Sequence, residues 1–308
     1  MYYRHQCRLI VYFNGYNPRI MRRITVCFLV FYSPLIISMA QPSNVFDWQG
    51  HRGCRGLRPE NSVPAFIHAL SFPELKTLEM DVVISRDKQV VVSHDPWFNP
   101  GLCDTNMLDN INLYHIDYEA IRHVDCGSKG HVRFPVQLKE PAHKPTLNEV
   151  IRAVHDHCLK NQKTLPAFNI EIKSQPEWDG KLTPPVQEFC DLVAEEFLKL
   201  GLKSSSSIQS FDVRALQYIH HKYPEITLAF LVEKKGLWAE HVDRLGFTPH
   251  IYSPHYALLT KKSLREMHDQ GLRVIPWTVN EVKIMRKLLR WGVDGIITDY
   301  PNLIKEAK

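Results

Sequence analysis

Residues 41–308 alternate between short apolar stretches and longer segments in which apolar residues recur every three or four positions. The short stretches are rich in β-branched and aromatic residues and are bounded by turn residues, which is typical of buried strands. Eight strands are predicted, at residues 46–51, 77–83 with a continuation at 90–94, 167–173, 207–211, 227–232, 251–253, 273–278 and 295–298.

The longer segments have the periodicity of amphipathic helices that bury one face. Thr146 and Glu149 have the spacing of a capping box at the start of one helix, and Asn280 is expected to cap another. The apolar positions that define three of these helices are Leu147, Val150, Ile151, Val154 and Cys158; Val186, Phe189, Cys190, Val193 and Phe197; and Val282, Met285, Leu288 and Leu289.

About eight strand–helix units in roughly 250 residues predict an α/β fold, a (β/α)8 TIM barrel. A doubly wound open sheet is the alternative, although the chain lacks the glycine-rich turn of a dinucleotide-binding fold. Residues 95–145 interrupt the alternation of strands and helices, since they show no clean periodicity and many turn residues. Because so long a loop inside a barrel is usually functional, we expect a small inserted subdomain after the second strand, on the catalytic face.

Residues 1–40 are predicted to be a leader that contains a signal peptide. They hold five arginines and no acidic residue, and from Met21 a basic region, an apolar run and a small-x-Ala ending at Ala40 follow one another. An uncleaved membrane anchor is the alternative, which Pro34 and the shortness of the run disfavour. Cleavage after Ala40 would leave a secreted or periplasmic protein with no stable membrane span.

Residues 41–308 carry 33 basic and 33 acidic side chains, so the positive excess of the chain belongs to the leader. A formally neutral chain gives no basic footprint for nucleic acid. Five cysteines remain, an odd and scattered set. Cys158 and Cys190 lie on apolar helical stripes and are expected to be buried, whereas Cys54, Cys103 and Cys126 could pair in an oxidising compartment.

Three carboxylates stand on the predicted strands near the end at which TIM barrels build their active sites. Glu79 and Asp81 share one face of the second strand, and Glu171 lies in the third. Carboxylates that converge on one barrel mouth would repel one another unless a cation neutralised them. We therefore expect one divalent cation with oxygen ligands, Ca²⁺ or Mg²⁺.

Basic and aromatic residues stand at the same strand ends. Arg52 and Lys173 could hold a phosphate beside the metal. His51 and His94 could serve as general acid and base on opposite sides of a P–O bond. Each residue also has an ordinary interpretation, such as a structural histidine, an ion pair within a strand or, for Trp277, a core side chain. Their joint placement at successive strand ends is what favours a phosphodiesterase.

An ordered series of motifs resembles the glycerophosphodiester phosphodiesterase family, from about residue 47 to the end of the chain. Ser62 stands where threonine is more usual, and either residue can cap a helix. The motifs are His51-Arg52-Gly53, Pro59-Glu60-Asn61, Glu79-x-Asp81, Val91-Val92-Ser93-His94-Asp95, Glu171-Ile172-Lys173, Ser210-Phe211-Asp212, Trp277-Thr278-Val279-Asn280 and Thr298-Asp299-Tyr300-Pro301.

The resemblance implies a TIM barrel with a small insertion and a small-molecule substrate, a glycerophosphodiester that is hydrolysed to sn-glycerol 3-phosphate and an alcohol. Family members attack phosphorus with the substrate's own glycerol hydroxyl or with water, and both routes stay open here. The implied roles are metal ligands at Glu79, Asp81 and Glu171, an acid/base pair at His51 and His94, phosphate contacts at the catalytic Arg52 and at Lys173, and a glycerol-facing aromatic at Trp277.

Two other functions fit the same fold. A phospholipase-C/D-like phosphodiesterase that acts on intact lipids would need an apolar rim, for which residues 95–145 offer only Trp97, Phe98 and Leu102. A non-catalytic phosphate-binding barrel would be expected to lack a metal ligand or an acid/base residue, and none is lacking. Gly53 is expected to let the backbone turn closely past the ligand, and Asn61 is expected to be structural.

Overall fold

A computed structural model of the protein describes residues 45–106 and 108–308. The predicted leader, residues 1–40, lies outside these ranges, and its cleavage stays a prediction. Among the described residues, no helix is both long enough and apolar enough to cross a membrane.

The described strands form one sheet in which eight run parallel, in the order β8-β7-β6-β5-β4-β2-β1-β9. β3 pairs with β2 in the antiparallel sense and forms a hairpin with it. The strands are β1 (Asp47–Gly50), β2 (Leu75–Ile84), β3 (Val90–Val92), β4 (Ala167–Ile172), β5 (Ser207–Ser210), β6 (Thr227–Val232), β7 (Ile251–Pro254), β8 (Arg273–Val274) and β9 (Gly295–Thr298).

The sheet closes between its last two strands. β8 is short because Pro276, just beyond it, has no N–H to donate to a ladder. The extended chain still continues past it, since Ile297 N donates to Pro276 O at 3.0 Å and Val279 N donates to Ile297 O at 3.0 Å. The predicted α/β TIM barrel is thereby confirmed, and the open-sheet alternative is wrong.

The helices lie between the parallel strands in the chain, as a barrel requires. Thr146 and Glu149 form the predicted capping box, and Ser62 Oγ accepts a hydrogen bond from Ala65 N at 3.3 Å. The helices are α1 (Val63–Ala69), α2 (Tyr118–Ile121), α3 (Leu147–Lys160), α4 (Val186–Lys199), α5 (Val213–Lys222), α6 (Trp238–Leu245), α7 (Lys261–Asp269), α8 (Val282–Trp291) and α9 (Ile304–Ala307).

The prediction that Asn280 caps a helix is wrong. α8 begins after Glu281, whose side chain makes no capping hydrogen bond. The Asn280 side chain turns toward the end of β9 instead, where its Nδ2 donates to Asp299 Oδ2 at 2.7 Å. A carboxylate that is distant in sequence therefore outcompetes the local helix terminus for this amide.

Side-chain alternation along the strands divides the barrel interior into two halves of different chemistry. Residues that point outward, such as Leu78 and Met80 of β2, join the main core beneath the helices. The polar half comes from β1, β2, β4 and β5 and consists of Gln49, Glu79, Asp81, Asn169, Glu171 and Gln209. The apolar half comes from β6, β7 and β9 and from the residue after β8, and consists of Ala229, Ile251, Ile275 and Ile297.

An inserted segment, residues 93–146, separates the β2–β3 hairpin from α3. A disulfide joins Cys103 to Cys126 within it. Its own hydrophobic cluster packs on the hairpin residues Val83 and Val91 and includes Phe98, Leu113 and Ile121. The three free cysteines of the described residues, two of them predicted to be buried, are all buried: Cys54, Cys158 and Cys190.

Candidate active site

A cleft of about 390 Å³ opens at the carboxyl ends of the parallel strands. All eight residues predicted for the site come together there. Asp81 is fully buried in the floor beside Glu79 and Glu171. The other predicted residues line the cleft itself: His51, Arg52, Glu79, His94, Glu171, Lys173 and Trp277.

The sheet register brings the three carboxylates together. Glu79 and Asp81 are two residues apart on β2, and Asp81 lies directly opposite Glu171 on β4. Each of the three offers an oxygen, and these oxygens all lie within 4.8 Å of one another. All three side chains are buried, so water screens little of their mutual repulsion.

The pKa values of these carboxyls reflect that crowding. Burial raises the pKa of Glu79 well above its ordinary value, and the charges of Asp81 and Glu171 raise it further. Burial also raises the pKa of Glu171 to about 7, against the opposing charge of Lys173. Burial acts on Asp81 too, but Arg52 above all holds the pKa of Asp81 well below its ordinary value. An additional cation would be needed to keep all three carboxyls ionised at neutral pH.

The donor atoms fit a hard divalent cation. Asp81 Oδ1 is buried and accepts no hydrogen bond within the described part of the chain, which is unusual for a buried carboxylate oxygen. Its other oxygen is occupied, since Asn61 Nδ2 donates to Oδ2 at 2.8 Å. Lys173 Nζ lies 2.7 Å from Glu171 Oε1 and 3.8 Å from Asp81 Oδ1 and supplies part of the balancing charge. An all-oxygen set of this kind suits Ca²⁺ or Mg²⁺.

The two histidines share one arrangement. His51 Nδ1 lies 2.6 Å from Asp299 Oδ1, and His94 Nδ1 lies 2.7 Å from Asp95 Oδ1. Each carboxylate fixes its ring through Nδ1 and leaves Nε2 for the cleft. Burial lowers the pKa of both histidines, and the neighbouring carboxylates oppose this shift. The pair therefore presents two ring nitrogens to the cleft that can accept or donate a proton.

Arg52 connects the turn after β1 to the carboxylates. Its backbone lies in the left-handed region, with φ of 51°, and its N–H donates to Glu79 Oε2 at 2.8 Å. The guanidinium pairs with Glu60 Oε1 at 2.8 Å and with Asp81 Oδ2 at 3.1 Å. These contacts hold a buried positive charge directly beside the candidate metal ligands.

Gly53 allows a close contact between the turn after β1 and the first barrel helix, α1. Its φ of +84° lies in the left-handed region, which glycine adopts without strain, and a Cβ there would come within 2.8 Å of the Ala65 backbone. The expected close approach of this backbone to a ligand stays a prediction.

An aromatic wall, made of Phe211 and Trp277, lies across the cleft. The two rings meet edge to face with centroids 5.3 Å apart. Trp277 Nε1 donates to Ser253 O at 2.8 Å, which fixes the indole in position. The wall offers a rigid apolar surface on which a small polyol can pack.

Several supporting residues were not assigned a site role from the sequence. Gln209 Nε2 donates to Glu79 Oε1 at 2.9 Å, and Asn61, expected to be structural, holds Asp81. Asn61 stands within a recognised motif and Gln209 next to one, which was the available signal, but the partner of each is distant along the chain. Residues of this kind are Glu60, Asn61, Asp95, Gln209, Asn280 and Asp299.

Known proteins are similar to this chain in sequence and in fold. Residues 51–303 match the model of the glycerophosphoryl diester phosphodiesterase family. A glycerophosphodiester phosphodiesterase of Bacillus altitudinis is 28% identical over 256 residues, which cover 82% of this chain and 94% of that protein. A crystal structure from Silicibacter pomeroyi DSS-3, provisionally named a glycerophosphoryl diester phosphodiesterase, has a TM-score of 0.74 and 27% identity, and the match covers 86% of this chain and 94% of that one.

A phosphodiesterase of Oleispira antarctica, solved in complex with the product sn-glycerol-3-phosphate, has the same fold. Its TM-score is 0.69 at 22% identity, and the match covers 85% of this chain and 96% of that one.

Proposed function

Since this chain belongs to the glycerophosphoryl diester phosphodiesterase family, we propose that it hydrolyses glycerophosphodiesters to sn-glycerol 3-phosphate and an alcohol, using one divalent cation and a pair of histidines. One observation carries the proposal. The buried triad of Glu79, Asp81 and Glu171, with its unpartnered Asp81 oxygen, lies in the same cleft as two histidines that are each backed by a carboxylate.

The charged residues bind the diester phosphate. Ca²⁺ or Mg²⁺ held by the buried triad would stabilise the negative charge that develops on the phosphate oxygens. Arg52 and Lys173 add two positive charges at the same place, and both are fixed by ion pairs before substrate arrives. Charges that are already oriented stabilise a transition state without reorganisation at the moment of reaction.

The histidines transfer protons on the two sides of the scissile bond. One accepts the proton of the attacking hydroxyl, which belongs to the substrate's glycerol or to water, and the other donates a proton to the departing alcohol oxygen. Attack by water gives glycerol 3-phosphate directly, whereas attack by the glycerol hydroxyl gives a cyclic phosphate that water then opens to glycerol 3-phosphate. Asp299 and Asp95 orient the rings of His51 and His94 for this purpose.

The test measures release of glycerol 3-phosphate from glycerophosphocholine and related diesters by the purified full-length chain. We expect EDTA to abolish release and either Ca²⁺ or Mg²⁺ to restore it. Glu171→Gln should not be restored, whereas Glu225→Gln, at an exposed position, should behave as the wild type. Unchanged activity in EDTA would refute the metal requirement, and folded protein that releases nothing from any diester would refute the proposed reaction.

A second candidate function, hydrolysis of lysophospholipids at a membrane, is favoured by one observation. The sequence offered only Trp97, Phe98 and Leu102 as candidates for an apolar rim, and Phe98 is fully buried in the cluster of the inserted segment. Four other apolar side chains of that segment are exposed: Val132 at 93%, Val136 at 68%, Leu138 at 51% and Ile111 at 38%. Exposed apolar groups concentrated in one segment can mark a lipid contact. Faster hydrolysis of lysophosphatidylcholine than of glycerophosphocholine would favour this candidate.

A further inference from the structure

Two guanidinium groups, those of Arg55 and Arg133, pack over the ring of Phe134 in the inserted segment. Arg55 Cζ lies 4.7 Å and Arg133 Cζ 5.7 Å from the ring centroid. Both arginines, hereafter the arginine pair, line the cleft that contains the candidate metal ligands. The arrangement is anchored, because Gln137 Nε2 donates to Arg55 O at 2.7 Å and Phe134 is buried.

The charge of Arg55 is only partly balanced. The side chain is buried, and its Nε donates no hydrogen bond within the described part of the chain. Its closest carboxylates are Glu60, at 3.3 Å, and Asp299, at 3.8 Å. Both are shared, since Glu60 also pairs with Arg52 and Asp299 with His51. Each of the two carboxylates is therefore shared with another side chain, so the Arg55 guanidinium keeps part of its capacity to pair with an anion.

Arg133 adds a second, exposed charge to the same rim. The arginines that form ion pairs among the described residues are Arg52, Arg55, Arg58, Arg86, Arg122, Arg214 and Arg273, so Arg133 has no carboxylate of its own. Stacking on Phe134 fixes its position without neutralising it.

The arginine pair and the aromatic wall lie on different arcs of the barrel mouth. Arg55 follows β1, whose neighbours are β2 and β9, and Arg133 belongs to the segment inserted after β3. Phe211 follows β5. Trp277 follows β8, and its backbone pairs with His255 just after β7. A diester whose glycerol packs on the aromatic wall would therefore direct its other alcohol toward the arginine pair.

We propose that the arginine pair is a subsite for a negatively charged group, a carboxylate or a second phosphate, on the alcohol part of the substrate. The inference rests on the proposed function, since it assigns the substrate class of the same site. Guanidinium groups bind carboxylate and phosphate through paired hydrogen bonds. A positively charged alcohol, such as choline or ethanolamine, would meet repulsion at the same place.

The test compares three glycerophosphodiesters of similar size whose alcohols are glycolate, ethanol and ethanolamine, and thus negative, neutral and positive. We expect the full-length wild type to have the highest kcat/KM for the glycolate diester. Arg133→Gln should lower that value about tenfold, chiefly through KM, and leave the ethanol diester within about twofold. The ethanolamine diester should be hydrolysed equally well or better by the variant.

Arg152→Gln is the matched control, because this exposed arginine lies on the outer surface of α3. It should change none of the three values. Equal kcat/KM for the three diesters in the wild type, or an equal loss for all three in Arg133→Gln, would overturn the subsite while leaving the proposed function intact. Hydrolysis of none of them would overturn the proposed function and the subsite together.

Discussion

The two halves of the barrel interior are filled by side chains of opposite chemistry. In the polar half, Asn169 Nδ2 donates to Gln49 and to Gln209 at 2.9 Å each, and Asn169 Oδ1 accepts from Ser207 at 2.9 Å. In the apolar half, Ile251, Ile275 and Ile297 pack against one another, and the one hydroxyl beside them, that of Ser253, is satisfied by Ile275 O at 2.6 Å. One half is a connected hydrogen-bond network, and the other is a small hydrophobic core.

The difference shows how stability and chemistry are divided within one barrel. Burying an isoleucine side chain contributes roughly 1.5–3 kcal/mol, whereas a satisfied buried hydrogen bond contributes only about 1 kcal/mol net. The network therefore adds less stability than apolar packing would, but it holds Glu79 through Gln209 in a fixed orientation. We expect substitutions in the polar half to affect turnover first and substitutions in the apolar half to affect stability first.

The largest effect is expected at the centre of the polar half. Asp81→Asn removes a carboxylate from the buried triad and one partner of Arg52, while it keeps the shape of the side chain. Loss of a ligand and of its charge should lower kcat at least about 10³-fold. Initial rates of glycerol 3-phosphate release test this, with circular dichroism to verify folding. A folded variant whose kcat lies within tenfold of the wild-type value would contradict the division of chemistry and stability between the two halves of the barrel interior.

A smaller effect is expected at the rim of the apolar half. Asp299 follows β9, and Asp299→Asn would keep the size of the group but remove the charge that orients His51 Nδ1. The expected loss is about 10²-fold in kcat with little change in KM, because a positioning residue acts on proton transfer and not on binding. The limb of the kcat pH profile that His51 sets should also move to lower pH, since burial lowers the pKa of His51 and the charge of Asp299 opposes that shift in the wild type. An unchanged pH profile would argue against this role.

The smallest effects come from a pair of substitutions that tests the division directly. Ile251→Ala should reduce the free energy of unfolding by about 2–4 kcal/mol and leave kcat within about twofold, because Ile251 is not part of the cleft lining. Gln209→Leu should lower kcat about tenfold by freeing Glu79, and should reduce stability by only about 1–3 kcal/mol. Urea unfolding and initial rates measure both quantities. The division would be refuted if the two variants showed the same ratio of lost activity to lost stability.

The sequence predicts the barrel and the buried carboxylate triad because both follow local rules. A strand of period two places Glu79 and Asp81 on one face, and parallel strands gather Glu171 beside them. The orienting partners obey no such rule. Asp299 stands at a predicted strand end, but its pairing with His51 depends on closure of the barrel. Asn280 was assigned to a helix cap because the sequence shows only the nearby start of the helix. Its contact with Asp299 is created by the fold and cannot be read from the sequence.

The inserted segment was the least predictable region. Without a helical or strand period, its apolar residues cannot be sorted into buried and exposed sets. Phe98 was one of three candidates for an exposed rim and is buried, whereas Val132 is exposed. The arginine pair was missed for the same reason, since Arg55 and Arg133 are brought together only by Phe134.

The contact between His51 and Asp299 joins residues that are 248 positions apart. At the usual rates of protein synthesis, a ribosome needs on the order of tens of seconds to make the chain between them. An incomplete polypeptide would contain His51, the inserted segment and the strands β2 and β4 that carry the triad. It would still lack Asp299, the carboxylate that orients His51. Full hydrolytic activity therefore marks the finished barrel, and its appearance during translation or refolding would time the last step of closure.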